Sequence, residues 1–156
     1  MTGVSESLSP EETARLAAKT MWAADRTSQS MGMEMLEIGP GAATLAMIAG
    51  ETMTNGHDTV HGGVIFALAD SAFAFACNSY GEVAVAAQCS IAFVRPAHRG
   101  DRLVAKAREI SRSGRSGIYD VQISVEGAVI AEFRGHSRIV GGSFIKADAE
   151  PQSHDK

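Results

Sequence analysis

Asp70 stands out for its surroundings. It lies inside Val64 to Cys77, where five alanines separate large apolar residues. An ionised carboxylate among apolar side chains is expensive to keep. It is either satisfied structurally, by a backbone amide or by an arginine across an interface, or it is an acid, base or nucleophile. Eight residues earlier, His61-Gly62-Gly63 opens the same run. Glycines at a helix start leave N–H groups unshielded, ready for an anion or a polarised carbonyl oxygen, although they equally suit a plain turn with close packing. On a helix, Gly62 and Asp70 stand about 80° apart around the axis and about 12 Å apart along it, too far to touch one reacting carbonyl. Two such helices packed antiparallel would set the Gly62 amide of one chain against Asp70 of its partner, giving two equivalent sites by symmetry.

These residues need elements to hold them. Alanine favours helix over strand, and Val64–Cys77 lacks the polar stripe of a surface helix, so it reads as a helix buried on nearly every side, ended by Asn78, Ser79 and Gly81. Ser9-Pro10-Glu11-Glu12 starts an earlier helix with a capping box. That helix runs to about Ala24, with modest apolar content (Leu16, Met21, Trp22), as a lid or outer brace. Met33–Ile38 and Ala42–Ile48 are short strands around Gly39-Pro40-Gly41, and Met53–Val60 is loop-like. After the central helix come strands at Val83–Val94, Leu103–Ile110, Ile118–Val125 and Ala128–Val140. Tyr119, Val121, Ile123 and Val125 share one face of the third. No room exists for helical crossovers between them, so they pair antiparallel. The fold class is therefore α+β, an antiparallel sheet curled around one long central helix. A sheet cannot cover a helix on every side, so the open face should meet another subunit. Residues 1–30 form an N-terminal helical extension, 31–145 the main domain and 146–156 a disordered tail.

Composition narrows the classes. With 156 residues the chain fits one domain, and 45% hydrophobic against 21% charged residues suits a soluble globule. A net charge of −4 argues against nucleic-acid binding. Cys77 and Cys89 are too few for a disulfide framework or a soft-ligand metal cluster. Glu6, Glu11 and Glu12 stand where a signal peptide would carry basic charge, and the longest apolar run is short of a membrane span. A cytoplasmic protein without membrane or nucleic-acid partners is expected.

The ordered set from Asn55-Gly56-His57 through His61-Gly62-Gly63 to Leu68-Ala69-Asp70 resembles the hot-dog-fold acyl-CoA thioesterases. Ser71 to Ser79 is closer still to the phenylacetic acid degradation thioesterase group, and Ile91–Pro96, Gly117–Val121 and Phe133–His136 are similar to its later blocks. The resemblance implies the hot-dog fold and hydrolysis of acyl-CoA thioesters, with phenylacetyl or hydroxyphenylacetyl groups as the acyl part. It implies that Asp70 acts as general base or nucleophile, that the Gly62 amide polarises the carbonyl, and that Asn55 places substrate or water. Chemistry agrees with it. A thioester expels a thiolate whose parent pKa is about 8.5, so no strong general acid is needed. The resemblance also implies a dimer with shared sites, paired again into a tetramer, and no cofactor beyond the coenzyme A of the substrate. Relatives often place a serine or threonine before the Arg-Pro turn, aimed at the carboxylate. Here Ala86 and Ala87 take that place, and Gln88 and Ser90 nearby join His61 and Gly63 as candidate substrate-binding residues.

His61 reads as an orienting or structural residue beside Gly63. His57, Asp58 and His61 make a poor metal triplet, so no metal is expected. Coenzyme A phosphates call for cations. Arg112 and Arg115, in a loop over Ser111–Gly117, and Arg95 are candidates, with Arg134 and Arg138 behind them and a solvated basic hairpin as the alternative. Asp120 reads as a solvated polar-face residue. Three other functions compete. A hydratase would want a histidine beside Asp70, and none follows it. A non-catalytic acyl-CoA-binding protein need not keep Asp70, and a medium-chain thioesterase differs only in its acyl pocket.

Overall fold

The computed structural model describes residues 7–145, so the expectation for the tail at 146–156 lies outside the described residues. The chain opens with helix α1, Pro10–Ala24. Its capping box forms as the sequence indicates: Ser9 Oγ accepts from the Glu12 amide at 3.1 Å, and the Ser9 amide donates to Glu12 Oε2 at 2.8 Å. That reciprocal bond holds the Glu12 carboxyl below its usual pKa. A short helix α2, Arg26–Ser30, follows without warning from periodicity. Asp25 ends α1 and caps α2, so one residue turns the chain at both helix ends.

Strands β1 (Glu34–Gly39) and β2 (Ala42–Ile48) form a hairpin, and a single 3₁₀ turn at Glu51–Met53 leads into the loop before the central helix. Helix α3 spans Gly62–Cys77. Then come β3 (Glu82–Phe93), β4 (Arg102–Ser113), β5 (Ser116–Val125) and β6 (Ala128–Ser143). All pairings are antiparallel, in one six-stranded sheet of order β1-β2-β4-β5-β6-β3. Helix α3 packs against every strand of it, which is the curled sheet expected from the pattern.

The core lies between sheet and helix. Leu68, Ala72, Phe73 and Phe75 of α3 pack with Leu45, Met47, Leu103, Val121 and Ile123. Phe73 sits between Tyr119 and Phe133, with ring centroids at 5.7 and 5.8 Å. Its ring needs Gly135: a Cβ there would stand 2.8 Å from three ring atoms. The brace reading of α1 is corrected by its packing. Ala14, Ala17 and Ala18 are buried, and Trp22 meets Phe75 at 5.9 Å, so α1 closes one side of the core.

One further expectation changes. Ser111–Gly117 is not a free loop: β4 extends through Ser113, pairs with Ser116, and leaves a two-residue turn at Gly114-Arg115. Gly114 takes φ +56°, a conformation that favours glycine. Helix α3 is open on one face within the protomer, as a sheet that covers only part of it requires. Gly63, Ala67, Asp70 and Ala74, spaced along one face, stay partly or fully exposed. Gly63, Ala67 and Ala74 are its small residues, and the partly exposed Phe66 and Ser71 flank it.

The end of α3 is locked by a polar side chain. Asn78, 3% exposed, donates Nδ2 to the carbonyls of Ala74 (2.9 Å) and Ala84 (3.1 Å), and its Oδ1 accepts from the Ala84 amide at 2.7 Å. Asn78→Ala leaves the Ala84 amide without a partner in the interior. The variant is expected to lose about 2–3 kcal/mol of unfolding free energy, read from urea denaturation; a loss under about 0.5 kcal/mol would refute the tether.

Candidate active site

The site begins in the loop before α3. Asn55 Oδ1 accepts from the amides of His57 (2.9 Å) and Thr59 (3.3 Å) and from Thr59 Oγ1 (3.0 Å). The carbonyl end of the side chain is thus spent on the loop, and only Nδ2 remains to donate outward. The Val60 amide donates to the Ala97 carbonyl at 2.7 Å, which ties this loop to the segment after β3.

His61 caps α3. Its Nδ1 accepts from the Gly63 amide at 2.9 Å, which assigns the ring proton to Nε2. That bond separates the two glycines. The Gly63 amide is taken, whereas the Gly62 amide has no hydrogen-bond partner among the described residues. Gly62 lines a groove of about 390 Å³ with Thr59, Val60, Ile65, Phe93, Arg95 and Pro96. The Phe93 ring lies 3.1 Å from where a Gly62 Cβ would stand, so glycine is what lets ring and backbone meet. Arg95 is the groove's cation.

Asp70 is elsewhere. Two turns further along α3, it is half-buried on the open face and does not line the Gly62 groove. It makes no hydrogen bond to a described residue. Burial, and secondly the negative charge of Asp25, hold its carboxyl above the ordinary carboxylate range. Two thiols feel Asp70 in turn: Cys77 is pushed up to about 12 by burial and then by Asp70, and Cys89 is raised for the same two reasons. Both stay protonated near neutral pH.

Gln88 and Ser90 do not face this carboxylate within the protomer. Ala84 and Ala86 of β3 pair with Ile139 and Ser137 on the inner face of β6, and simple alternation would continue that face through 88 and 90. A bulge at Ala87 breaks the alternation, so Cys89 and Ile91 take the inner face instead. Gln88 and Ser90 lie across from His136 and Arg134 on the outer face, Gln88 over a second groove with Ser111 and Ser113. Cys89 is therefore the residue of β3 beside Asp70 that sequence reasoning passed over. Its only signal was its place in an apolar run.

The cations separate too. Arg112 stacks 3.5 Å over the Tyr80 ring and pairs with Glu109 at 3.2 Å, while Tyr80 donates to the same carboxylate at 2.5 Å. Burial, then that bond, raises the Tyr80 pKa. With Arg115, this cluster sits at the C-terminal end of α3, some 22 Å along the helix from Gly62. Arg134 is committed to Asp120 through two bonds of 2.6 and 2.8 Å, which hold that carboxyl low; Asp120 is paired rather than merely solvated. Arg138 lines the outer groove.

A helix wrapped by an antiparallel sheet, opening on an unpartnered glycine amide, is the hot-dog arrangement, and the chain belongs to the thioesterase superfamily, whose family model matches residues 57–131. It is 39% identical over 128 residues to the acyl-coenzyme A thioesterase PaaI of Escherichia coli, covering 81% of this chain and 91% of that one. The structure of the E. coli PaaI protein from the phenylacetic acid degradation operon superposes with a TM-score of 0.85 at 38% identity, over 86% of this chain and 99% of that one. An Archaeoglobus fulgidus protein described as a putative esterase is 34% identical, over 66% of this chain and 67% of that one. The chain is a thioester hydrolase of the acyl-CoA kind. No described helix is long and apolar enough to cross a membrane.

Proposed function

We propose that this protein hydrolyses aryl-acetyl-CoA thioesters, of phenylacetyl or hydroxyphenylacetyl type, in the cytoplasm, through two sites shared across a homodimer. The observation that carries the reading is a separation. The free amide of Gly62 and the carboxylate of Asp70 share one helix, yet stand about 12 Å apart along it. The exposed face of α3 offers a way to close that gap. Glycine and alanine at 63, 67 and 74 let a second α3 approach closely and antiparallel, setting each Asp70 beside the partner's Gly62. The free edge of β3, with Val85 and Phe93 about half exposed, supports the same pairing, since an unpaired apolar edge is a template for another strand. Antiparallel packing also turns the Arg112–Arg115 hairpin of one chain toward the groove mouth of the other, where Arg95 already stands. A second pairing into a tetramer is part of this reading.

In such a site the Gly62 N–H donates to the thioester oxygen as negative charge develops there. Asp70 either takes a proton from the water that adds to the carbonyl carbon, or adds to that carbon itself and is released by water. In both routes the C–S bond breaks, coenzyme A leaves as thiolate, and a proton returns to the sulfur. Asn55 Nδ2 holds substrate or water, and His61 keeps the glycine turn in shape. Gln88 and Ser90, on the outer face, take no part. The reading needs no metal and no separate cofactor. The relative from the phenylacetic acid degradation operon, with the apolar walls Val60, Ile65 and Phe93, supports an aryl acyl group.

Thiol release from phenylacetyl-, hydroxyphenylacetyl-, benzoyl-, hexanoyl- and acetyl-CoA tests it. The aryl-acetyl esters should turn over fastest; a preference for hexanoyl-CoA would reassign the substrate to medium chains. The pH profile is a second check. Asp70 must be ionised in either route, so the rate falls as pH falls through its pKa. Because that pKa is raised, the fall begins at higher pH than for an ordinary carboxylate.

A further inference from the structure

We propose that the short helix α2 belongs to the catalytic apparatus, with Asp25 and Ser28 as positioning residues for Asp70 that act through Ser71. The proposal rests on the reading of Asp70 as the reacting carboxylate. Ser28 is fully buried in a helix of five residues, and its hydroxyl is wholly committed. It donates to Asp25 Oδ2 at 2.6 Å and lies 2.8 Å from Ser71 Oγ. With its single proton given to Asp25, Ser28 can only accept from Ser71. The chain Ser71 to Ser28 to Asp25 therefore has one direction, and it grips α3 at the residue next to Asp70. The Asp25 Oδ1 atom also accepts from the Ser28 amide at 2.9 Å, which fixes the carboxylate at the turn between α1 and α2.

Asp25 has no cation within ion-pair distance among the described residues. Its charge is thus left to act on its surroundings, and it is the charge that, after burial, keeps the Asp70 carboxyl basic. The other titratable groups that interact with Asp70 are Cys77 on α3 and Cys89 on β3, both neutral thiols. A like charge held nearby makes a better base of Asp70.

Asp25→Asn removes the charge and keeps the cap: its Oδ1 still accepts from the Ser28 amide, while its Nδ2 donates to Ser28 Oγ and the hydroxyl chain runs the other way, with Ser28 donating to Ser71. Ser28→Ala does the reverse, cutting the chain and leaving the charge. The experiment compares the pH dependence of kcat and KM for hydroxyphenylacetyl-CoA in wild type and both variants, with a carbon NMR titration of the Asp70 carboxyl. In Asp25→Asn the acid limb and the Asp70 titration should both move to lower pH. In Ser28→Ala kcat should drop about tenfold at nearly constant KM, the signature of a misplaced group. Wild-type kcat and an unmoved profile in Asp25→Asn would overturn the proposal, even if Ser28→Ala fails to fold. Full turnover by Asp70→Asn would instead overturn the reading of Asp70. An inactive Asp70→Asn beside an unmoved Asp25→Asn removes only the role of α2.

Discussion

Asp70→Asn is expected to lower kcat for aryl-acetyl-CoA hydrolysis by about 10²–10⁴-fold while the protein folds and assembles as before. Asparagine matches aspartate in shape, so packing on α3 is kept and only the ionisable group is lost. The wild-type carboxylate has no hydrogen-bond donor among the described residues, and burial and Asp25 both disfavour its charge. Removing that charge relieves a cost of folding, so the variant should unfold no earlier than wild type. A loss of activity with equal or higher Tm is the pattern of a group kept for chemistry. Activity within tenfold of wild type, or a lower Tm with partial activity, would make Asp70 a structural carboxylate.

Gly62→Pro is expected to lower kcat by about 10²–10³-fold, the usual effect of deleting one oxyanion donor. Proline removes the N–H and is otherwise well suited to this place. Gly62 is the first residue of α3, and His61 before it has φ −59° and ψ 133°, the extended backbone that precedes proline comfortably. The ring must displace Phe93, a residue 51% exposed with solvent on its open side. Gly62→Ala is the control, because it meets the same ring but keeps the N–H. Equal losses in both variants would mean that crowding, not the donor, matters. Mixing Asp70→Asn with Gly62→Pro then tests the shared geometry. Random pairing makes half the dimers mixed, each with one intact site, so about a quarter of wild-type activity should return. No recovery from subunits shown to exchange would place Gly62 and Asp70 of one site in the same chain.

Much of the architecture was legible in the sequence because each element carries a local cause. The capping box at Ser9 and Glu12, the alanine-rich apolar run from Val64, and the alternation from Tyr119 to Val125 each dictate their own backbone. The site was legible in part for a similar reason. Gly62 and Asp70 contradict their surroundings in residue type, and such contradictions show without coordinates. What escaped was set by contacts between distant segments. Helix α2 is too short for periodicity to reveal, and it owes its place to Asp25 and to Ser71, 43 residues beyond Ser28. The cation grip read into Ser111–Gly117 took no account of Tyr80 and Glu109, which claim Arg112 from another part of the fold.

The amino-acid sequence by itself determined that one apolar helix would be wrapped by an antiparallel sheet, because burial pattern and propensity act residue by residue. It also determined that a carboxylate and a glycine amide would be held two turns apart on that helix, since helical rise is the same in every protein. Only the tertiary structure decided which amide is free. His61 Nδ1 accepts from the Gly63 N–H and leaves the Gly62 N–H free, a choice made by one rotamer. It likewise decided which side of β3 faces the helix. One extra residue at Ala87 reverses the alternation beyond it, turning Cys89 inward and Gln88 and Ser90 outward. A bulge answers to the register of two paired strands, and register is a property of the pair, written in neither strand alone.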